Sequence, residues 1–373
     1  MKVAFYLDVY TGGSGRVVET FLDNFDKNID KLIILNNPVK EFKSENTKFI
    51  ILKRFKNPII NLIYRVFKIN NVLKKNKIDV LCSMLTVPNI TSIMATKFML
   101  FKSKCIINEH TFLSKDIKLK YKSNSFLNSI EKFSLKSLIK FFYKSSDKIV
   151  VISKGMKSDL IKNYNINDAK VEVIYTPIHV NKIKEYSLNQ PKHDWFKKYK
   201  IILGVGRLSP EKRFQDLIKS FEIVKKRLKN AKLIIIGKGG EKEKLVSLIN
   251  KLKLNKDIEI IEFVDEPYSY MKHSSVLVLC SEYEGFGMVL AEAMTTNTPV
   301  ISTNCSSGPE DILGKDYELF CKIRDVDCIA RNIIRLIKDK TLRNNIIKRN
   351  EKRVSMFDAK IISDKYIDLI KEV

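Results

Sequence analysis

The chain has 373 residues, of which 45% are hydrophobic and 29% are charged. This ordinary globular composition excludes a wholly disordered chain, a collagen and a protein of many membrane spans. The formal net charge of +26 is unusual, with +17 in residues 1–186 and +9 in residues 187–373. Such a charge favours polyanions or anionic membrane surfaces as partners, although a composition biased towards Lys, Asn and Ile is an alternative explanation.

The first ten residues (MKVAFYLDVY) predict a strand. They lack the longer apolar core and the small-residue cleavage site of a signal peptide. None of the six cysteines forms a Cys-x-x-Cys pair, and several lie in apolar runs. We therefore expect them to be reduced, as in a cytosolic protein: Cys82, Cys105, Cys280, Cys305, Cys321 and Cys328.

Short apolar runs alternate with helical-period stretches along the chain, a pattern typical of βαβ units and parallel sheets. In the first half the predicted strands are Lys2–Leu7, Leu32–Leu35, Val80–Met84, Cys105–Glu109, Lys148–Ile152 and Val171–Tyr175. In the second half they are Ile201–Val205, Lys232–Ile236, Ile258–Phe263, Val276–Cys280 and Pro299–Ser302.

The strand–helix series begins again near residue 200, after a charged stretch of broken periodicity. The sequence therefore predicts an α/β protein with two Rossmann-like, doubly wound parallel-sheet domains facing across a cleft. We place an N-terminal domain at residues 1–185 and a C-terminal domain at 186–355. A C-terminal helix at 356–373 is expected to cross back. Ligands of such folds bind at the carboxyl ends of the strands.

The strongest motif is segment 281–293 (SEYEGFGMVLAEA), which follows a predicted strand. Gly285 and Gly287 permit a tight turn, and a helix begins at Met288, so its backbone N–H groups suit a phosphate. The carboxylates of Glu284 and Glu292 flank this anion site, an arrangement suited to a neutral polyol attached to a diphosphate. The alternative is a solvated pair of glutamates on a surface turn.

A second motif, residues 204–213 (GVGRLSPEKR), follows the strand Ile201–Val205. Arg207 offers a fork for two phosphate oxygens, and Lys212 adds a mobile charge. A third motif, residues 11–16 (TGGSGR), lacks strict dinucleotide-loop spacing. It indicates either a nucleotide loop or a close backbone approach to a ligand.

Together these three motifs resemble glycosyltransferase family 4, a GT-B family of retaining enzymes that use nucleotide sugars. The resemblance extends to bacterial polysaccharide and lipid-linked-glycan transferases of hexoses or N-acetylhexosamines. It implies that the domain at 1–185 binds the acceptor and the domain at 186–355 binds the nucleotide sugar. It also implies that Arg207 and Lys212 stabilise the departing diphosphate, that Glu284 contacts the transferred sugar and that Glu292 binds ribose. The further donor-binding positions that it implies are Gly13, Gly206, Gly237, Val264, Phe286, Gly287 and Met288.

Other polar residues have weaker patterns. His110 follows a predicted strand, where the resemblance implies contact with the donor sugar, although a structural histidine is the alternative. Asp325 and Asp327 have the spacing of a metal-binding pair but precede a C-terminal helix. We expect no cofactor and no essential metal, since the resemblance implies that the basic pair neutralises the diphosphate. Thr176 stands in a Tyr-x-Pro segment where the family usually has Asn, which leaves that contact unassigned.

The partners follow partly from a predicted helix in residues 124–148, where Lys132, Lys136, Lys140 and Lys144 recur every four residues. This basic stripe indicates an anionic membrane surface, a polyprenyl-diphosphate glycan acceptor or simply a solvated helix face. The resemblance favours the cytoplasmic face of the inner membrane, with UDP-GalNAc, UDP-GlcNAc or UDP-Gal as the donor. The alternatives are a UDP-sugar epimerase of GT-B fold, a basic nucleic-acid-binding protein, which has no supporting motif, and a dinucleotide oxidoreductase.

Overall fold

A computed structural model describes residues 1–8, 12–25, 29–37, 47–120 and 126–373. Within these ranges, only the backbone is described at residues 12–14, 16, 120 and 126–133. The chain divides into two compact units, one of residues 1–177 with 359–373 and one of residues 178–358.

The first unit is a parallel sheet of seven described strands in the order β3-β2-β1-β4-β5-β6-β7. The strands are β1 (Lys2–Leu7), β2 (Asp30–Leu35), β3 (Thr47–Ile51), β4 (Val80–Met84), β5 (Lys104–Glu109), β6 (Lys148–Val151) and β7 (Val171–Val173). Six helices connect them: α1 (Gly12–Asn24), α2 (Pro58–Asn76), α3 (Thr86–Lys97), α4 (Leu113–Lys120), α5 (Phe126–Tyr143) and α6 (Lys154–Tyr164).

The second unit begins with two short helices, α7 (Val180–Ser187) and α8 (Trp195–Lys198). Its six described strands are parallel in the order β10-β9-β8-β11-β12-β13. They are β8 (Lys200–Val205), β9 (Ala231–Ile236), β10 (Ile258–Ile261), β11 (Val276–Leu279), β12 (Val300–Thr303) and β13 (Phe320–Cys321). The other helices are α9 (Phe214–Arg227), α10 (Lys242–Lys251), α11 (Tyr268–Lys272), α12 (Met288–Thr295), α13 (Pro309–Leu313), α14 (Val326–Lys338) and α15 (Lys340–Val354).

The final helix, α16 (Ala359–Glu372), belongs to the first unit although it ends the chain. Ile362, Tyr366 and Ile370 are buried in the core between α1 and the sheet. The Tyr366 ring stacks on Phe21 with 4.3 Å between centroids, and its hydroxyl accepts a hydrogen bond from Asn108 Nδ2 at 2.8 Å. The last helix therefore completes a core that the first residues of the chain begin.

The structure confirms the two doubly wound parallel-sheet units and adds two strands that the sequence did not predict. These are β3 and β13, both at sheet edges. β3 is only partly buried and includes a lysine, and β13 has two residues, so neither forms a continuous apolar run. The strand order reverses next to β1 in the first sheet and next to β8 in the second. The loops after β8 and β11 therefore lie where ligands of this architecture bind.

One expectation about the cysteines is wrong. Cys321, which ends β13, forms a disulfide with Cys328 in the first turn of α14. The chain reversal between them brings the two Cα atoms to 5.7 Å, within disulfide reach. The other four cysteines are free and buried, and burial raises the pKa of each thiol, to about 12 for Cys82, Cys105 and Cys305 and higher still for Cys280.

Candidate active site

The two strongest motifs lie on adjacent loops of the second unit. One follows β8 and the other follows β11, and these strands pair in parallel with Val276 opposite Ile202. Parallel neighbours end at the same sheet edge, so both loops leave the sheet side by side. A backbone hydrogen bond from Glu282 N to Glu211 O, 2.8 Å long, joins the two loops directly.

The predicted cation Lys212 and the predicted acid Glu284 form the centre of this arrangement. Lys212 Nζ donates to Glu284 Oε1 at 2.6 Å, and Ser281 Oγ donates to the same oxygen at 2.5 Å. The Glu284 residue is 7% exposed and the Lys212 side chain 17%. A buried carboxylate needs a charged partner and hydrogen bonds, and these two donors provide both. The structure thus brings together two residues that the sequence places 72 positions apart.

The second predicted cation, Arg207, is held much less firmly. Its side chain is 79% exposed, and Nη2 lies 3.1 Å from Glu211 Oε1. The same oxygen accepts a hydrogen bond of 2.5 Å from Ser209 Oγ. An ion pair in which one partner is largely exposed contributes little free energy, so the guanidinium can exchange Glu211 for a phosphate at small cost. Glu211 and Ser281 have no predicted role, although both lie inside the two motifs.

Glycines let the loops after β8 and β9 approach closely. Gly206 N donates to Ile236 O at 3.0 Å, and Leu208 N donates to Lys238 O at 3.0 Å. A Cβ added to Gly237 would lie 1.9 Å from the backbone oxygen of Gly206. Only glycine is compatible with this contact, so Gly206 and Gly237, both predicted donor-binding residues, form one packed corner of the site.

The helix α12 begins directly after the turn that contains Glu282 and Glu284, here called the acidic turn. Gly287 is its N-cap residue, with a left-handed φ of +94° and no side chain to cap the first turn. The backbone N–H groups at this end therefore suit an external anion. Gly308 packs against this turn so closely that a Cβ there would lie 2.0 Å from Phe286 O. The Phe286 ring is buried, with its centroid 5.4 Å from that of Phe357, so the phenylalanine can offer only its backbone to a ligand.

Three other predicted donor-binding positions lie at the same sheet edge. Met288 begins α12, and Glu292 lies one turn further along the helix, half-buried. Val264 follows β10 and is also half-buried. Side chains of a helix lean towards its N-terminus, so the Glu292 carboxylate is directed towards the anion-binding end of α12.

A second set of charged residues, which the sequence analysis missed, supports the acidic turn. Arg213 has a left-handed φ of +51° and forms a bidentate pair with Asp216, at 2.6 and 3.1 Å. The hydrogen bonds to Asp216 raise the pKa of Arg213. Arg213 and Arg324 both reach Glu282, at 3.5 and 3.2 Å. Partial burial opposes ionisation of Glu282, but hydrogen bonds and charge from these two guanidinium groups hold its pKa below the usual range.

In the first unit, His110 directly follows β5 and is positioned by its neighbour Glu109. The Glu109 carboxylate is 1% exposed, and its Oε1 accepts the backbone N–H groups of His110 and Thr111, each at 3.0 Å. Its Oε2 accepts the Tyr143 hydroxyl at 2.6 Å. Burial raises the pKa of Glu109 and lowers the pKa of His110 to about 4. The His110 imidazole is therefore neutral at pH 7. Gly13 lies in the first turn of α1.

The Asp325–Asp327 pair has a structural explanation. Asp325 Oδ1 accepts the backbone N–H of Cys328 at 2.9 Å and so caps α14. Across the ranges that the structure describes, no cluster of three His, Cys, Asp or Glu residues could hold a metal ion.

The basic stripe lies on α5, where Lys136 and Lys140 are exposed, and Lys144, also exposed, directly follows the last residue of the helix. Lys136 Nζ lies 5.8 Å from the centroid of the Tyr164 ring. Lys132 belongs to α5, but its side chain lies outside the described residues. Of the helices that could be searched, none has the length and hydropathy to cross a lipid bilayer.

Two family models match the chain in succession. "Glycosyltransferase Family 4" matches residues 11–182 and "Glycosyl transferases group 1" matches residues 186–353. The matched ranges contain the glycine motif, both loops of the second unit and α12. The chain belongs to glycosyltransferase family 4 and has the GT-B fold.

Among curated relatives, one from Campylobacter jejuni is 29% identical over 96% of both chains. It is the N-acetylgalactosamine-N,N'-diacetylbacillosaminyl-diphospho-undecaprenol 4-alpha-N-acetylgalactosaminyltransferase. An uncharacterized glycosyltransferase of Methanocaldococcus jannaschii is 40% identical over 34% of this chain, a match that spans 32% of that relative's length.

Solved structures share the fold along the whole chain. A glycosyltransferase from Rickettsia africae superposes with a TM-score of 0.80 at 19% identity, covering 100% of this chain and 98% of that one. The Anabaena protein HepE in complex with UDP gives 0.79 at 16% identity, with 100% of both chains covered.

Proposed function

We propose that the protein transfers a hexose or N-acetylhexosamine from a UDP-sugar to a glycan acceptor carried on polyprenyl diphosphate, with retention at the anomeric carbon. The product would enter a bacterial surface polysaccharide or glycoconjugate. The full-length Campylobacter relative, named for a diphospho-undecaprenol acceptor, supports the acceptor class. The UDP complex of the Anabaena structure supports the nucleotide.

The observation on which this proposal depends is the Lys212–Glu284 pair, 2.6 Å apart beside the N-terminus of α12. A sugar leaving a diphosphate develops positive charge on the sugar and negative charge on the phosphate. Fixed cations and helix N–H groups at the developing anion lower the barrier most. Lys212, Arg207 and the first turn of α12 supply those charges, while Glu284 contacts the sugar hydroxyls and Glu292 the ribose diol.

Retention in a single displacement requires the acceptor hydroxyl to attack from the face that the diphosphate leaves. In the proposed mechanism, the departing phosphate oxygen takes the proton of that hydroxyl. His110 contacts the sugar as a neutral imidazole, since its pKa of about 4 keeps it unprotonated at pH 7. The lysine and arginine charges replace the divalent metal that other phosphate chemistry uses. We therefore expect activity in the presence of EDTA.

The donor is identified first, by thermal unfolding of the full chain with UDP, UDP-GalNAc, UDP-GlcNAc, UDP-Gal or GDP. A ligand that binds only the folded state raises stability in proportion to the logarithm of its concentration over its Kd. We expect UDP and one UDP-sugar to raise Tm, with GDP as the negative control. A rise with GDP but not with UDP would overturn the donor class.

Turnover is then measured as UDP release from that donor, with and without a synthetic polyprenyl-diphosphate disaccharide. A transferase releases UDP at a rate that depends on the acceptor. Acceptor-independent conversion of the sugar without UDP release would identify an epimerase and contradict the proposal. Tight, salt-sensitive binding to DNA without binding to UDP would instead favour the nucleic-acid alternative.

A further inference from the structure

The first half of α2 presents an apolar stripe to solvent. Ile59, Ile60, Ile63 and Phe67 are 68%, 53%, 51% and 54% exposed. Positions 59, 63 and 67 are spaced by four residues, so they lie on one face of the helix, with residue 60 beside them. Single exposed apolar residues are common on soluble proteins, but a contiguous apolar face marks an interaction surface.

This outer stripe is distinct from the face that holds α2 in the fold. Val66, Ile69 and Leu73 are at most 5% exposed and pack into the core. At about 100° per residue, this buried face lies directly beside the stripe. The apolar surface of α2 is therefore wider than the part that the core covers, and the four stripe residues lie in the uncovered part.

The stripe is displayed on a well-formed helix end. Asn57 caps α2 by accepting the backbone N–H groups of Ile59 and Ile60, at 2.9 and 3.1 Å, and Pro58 occupies the first helical position. Phe55, 39% exposed, precedes the helix, and its ring meets Tyr64 edge-on at 4.9 Å. Since the helix is already ordered, docking through this face costs little conformational entropy.

Cations surround the apolar face. Lys53, Arg54 and Lys56 precede the helix and Lys68 follows Phe67, and all four are exposed. Residues 53–77 contain eight basic residues and no acidic one. Long basic side chains can extend from an apolar surface to phosphate groups, the arrangement of helices that lie in the plane of a membrane interface.

We propose that the N-terminal half of α2, residues 58–67, docks on an anionic lipid membrane, with the stripe among the acyl chains and Lys53, Arg54, Lys56 and Lys68 at the headgroups. Nucleic acid would use the cations but offers no apolar surface to three isoleucines. A lipid surface uses both features. This inference concerns a different surface from the α5 lysines and does not depend on which sugar is transferred.

The test is cosedimentation of the full chain with vesicles of phosphatidylglycerol and phosphatidylcholine, in about 0.1 M salt. The variant combines Ile59→Ser, Ile63→Ser and Phe67→Ser. We expect its partition onto the vesicles to fall by roughly tenfold or more, because three large apolar side chains are no longer transferred from water into the acyl chains. The matched control replaces exposed apolar residues elsewhere, Leu188→Ser, Val246→Ser and Ile361→Ser, and should bind like the parent chain.

A second variant tests the electrostatic part: Lys53→Glu, Arg54→Glu and Lys56→Glu. We expect it to lose its preference for anionic over pure phosphatidylcholine vesicles. The corresponding change on α5, Lys136→Glu, Lys140→Glu and Lys144→Glu, should weaken binding less. If the α5 variant abolishes vesicle binding while the serine variant of α2 binds normally, the proposal is wrong.

The altered side chains are exposed, so the variants should keep the parental Tm and the rise in Tm with UDP. These readouts separate membrane docking from the proposed sugar transfer. A variant that loses vesicle binding but still binds UDP has lost only the docking function of α2. Light scattering tests for the alternative that α2 binds a second copy of the chain. A parent chain that does not bind vesicles but is dimeric, with a serine variant that is monomeric, would overturn the proposal.

Discussion

At the scale of single residues, the two cations of the candidate site differ in how firmly they are held. Lys212 is buried with its partner Glu284 between two loops, whereas the guanidinium of Arg207 is exposed and pairs with the largely buried carboxylate of Glu211. The buried pair gives the site its shape before any ligand arrives. The exposed guanidinium is free to follow a diphosphate and to add its charge when the bond breaks.

We expect Arg207→Ala to lower turnover by roughly 10²-fold or more, the loss typical of removing one stabiliser of a developing anion. Because Arg207 is 79% exposed, folding should be unaffected. The measurement is UDP release at saturating donor and acceptor, with Tm as a check on folding. Arg227→Ala, at the exposed end of α9, is the matched control. Near-normal sugar transfer by the Arg207 variant would refute the assignment.

His110 gives a prediction about pH. The free imidazole has a pKa of about 6.5, while burial lowers it to about 4 in the folded chain. Between these values the unfolded state binds more protons, so stability from this group is present above pH 6.5 and is lost as the pH falls towards 4. We expect His110→Asn to reduce the acid-induced loss by about 1–3 kcal/mol.

Urea unfolding at pH 6.5 and pH 4.5 measures this difference. Burial raises the pKa of Glu109, but this residue is present in both chains, so its contribution cancels in the comparison. An equal loss of stability in the parent and the variant would show that His110 is not desolvated. Because of the same low pKa, His110 should not contribute an inflection near pH 6.5 to the pH dependence of activity. Replacing His110 should therefore not remove an inflection at that pH.

At the scale of elements, the site depends on how closely the loops after β8 and β9 pack. We expect Gly237→Ala to destabilise the protein by about 1–3 kcal/mol and to weaken UDP binding. The new Cβ would lie 1.9 Å from Gly206 O, which is backbone and cannot rotate away. Gly240→Ala is the control, since a Cβ there meets no atom within 4 Å. Tm with and without UDP is the readout, and equal values for the two variants would contradict this account.

Much of this level was predictable from the sequence. The buried central strands are continuous apolar runs, and the glycine and acidic motifs directly follow two of them, so β8, β11 and the start of α12 were predicted. The edge strand β3 was not, because its residues are only partly buried and include a lysine. The Cys321–Cys328 disulfide was missed because it depends on how β13 and α14 meet, which spacing alone does not determine.

The contacts between side chains of the site could not be predicted from the sequence either. The motifs identified Lys212 and Glu284 as site residues, but their separation of 2.6 Å follows from the pairing of β8 with β11. The support of the acidic turn by Arg213 and Arg324 likewise depends on backbone geometry, since Arg213 adopts a left-handed φ of +51°. The residue type determines the charge of a side chain, whereas the fold determines which groups that side chain contacts.

At the scale of the whole molecule, the last helix belongs to the same unit as the first strand. The sequence predicts a helix at 356–373 that crosses back, but it does not determine which core this helix packs against. The structure places α16 in the first unit, against α1. The second unit is thus an insertion, in sequence terms, between the body of the first unit and its last helix.

This connectivity predicts that damage to the last helix unfolds the first unit. Tyr366 is fully buried, so Tyr366→Ala should cost about 3–5 kcal/mol. Tyr366→Phe keeps the ring stacked on Phe21 and loses only the hydroxyl that accepts from Asn108, so its cost should be about 1 kcal/mol. Ile361→Ala, at a 44% exposed position on the same helix, is the control.

Hydrogen exchange resolved along the sequence distinguishes the two units. For Tyr366→Ala we expect faster exchange in β1, β4 and β5, which lie up to 364 residues before the substitution, because their side chains share its core. Amides of β8 and β9 should keep their protection. Since α16 is adjacent in sequence to the second unit, local disturbance would act there first. Faster exchange confined to residues 178–358 would therefore refute the placement of α16.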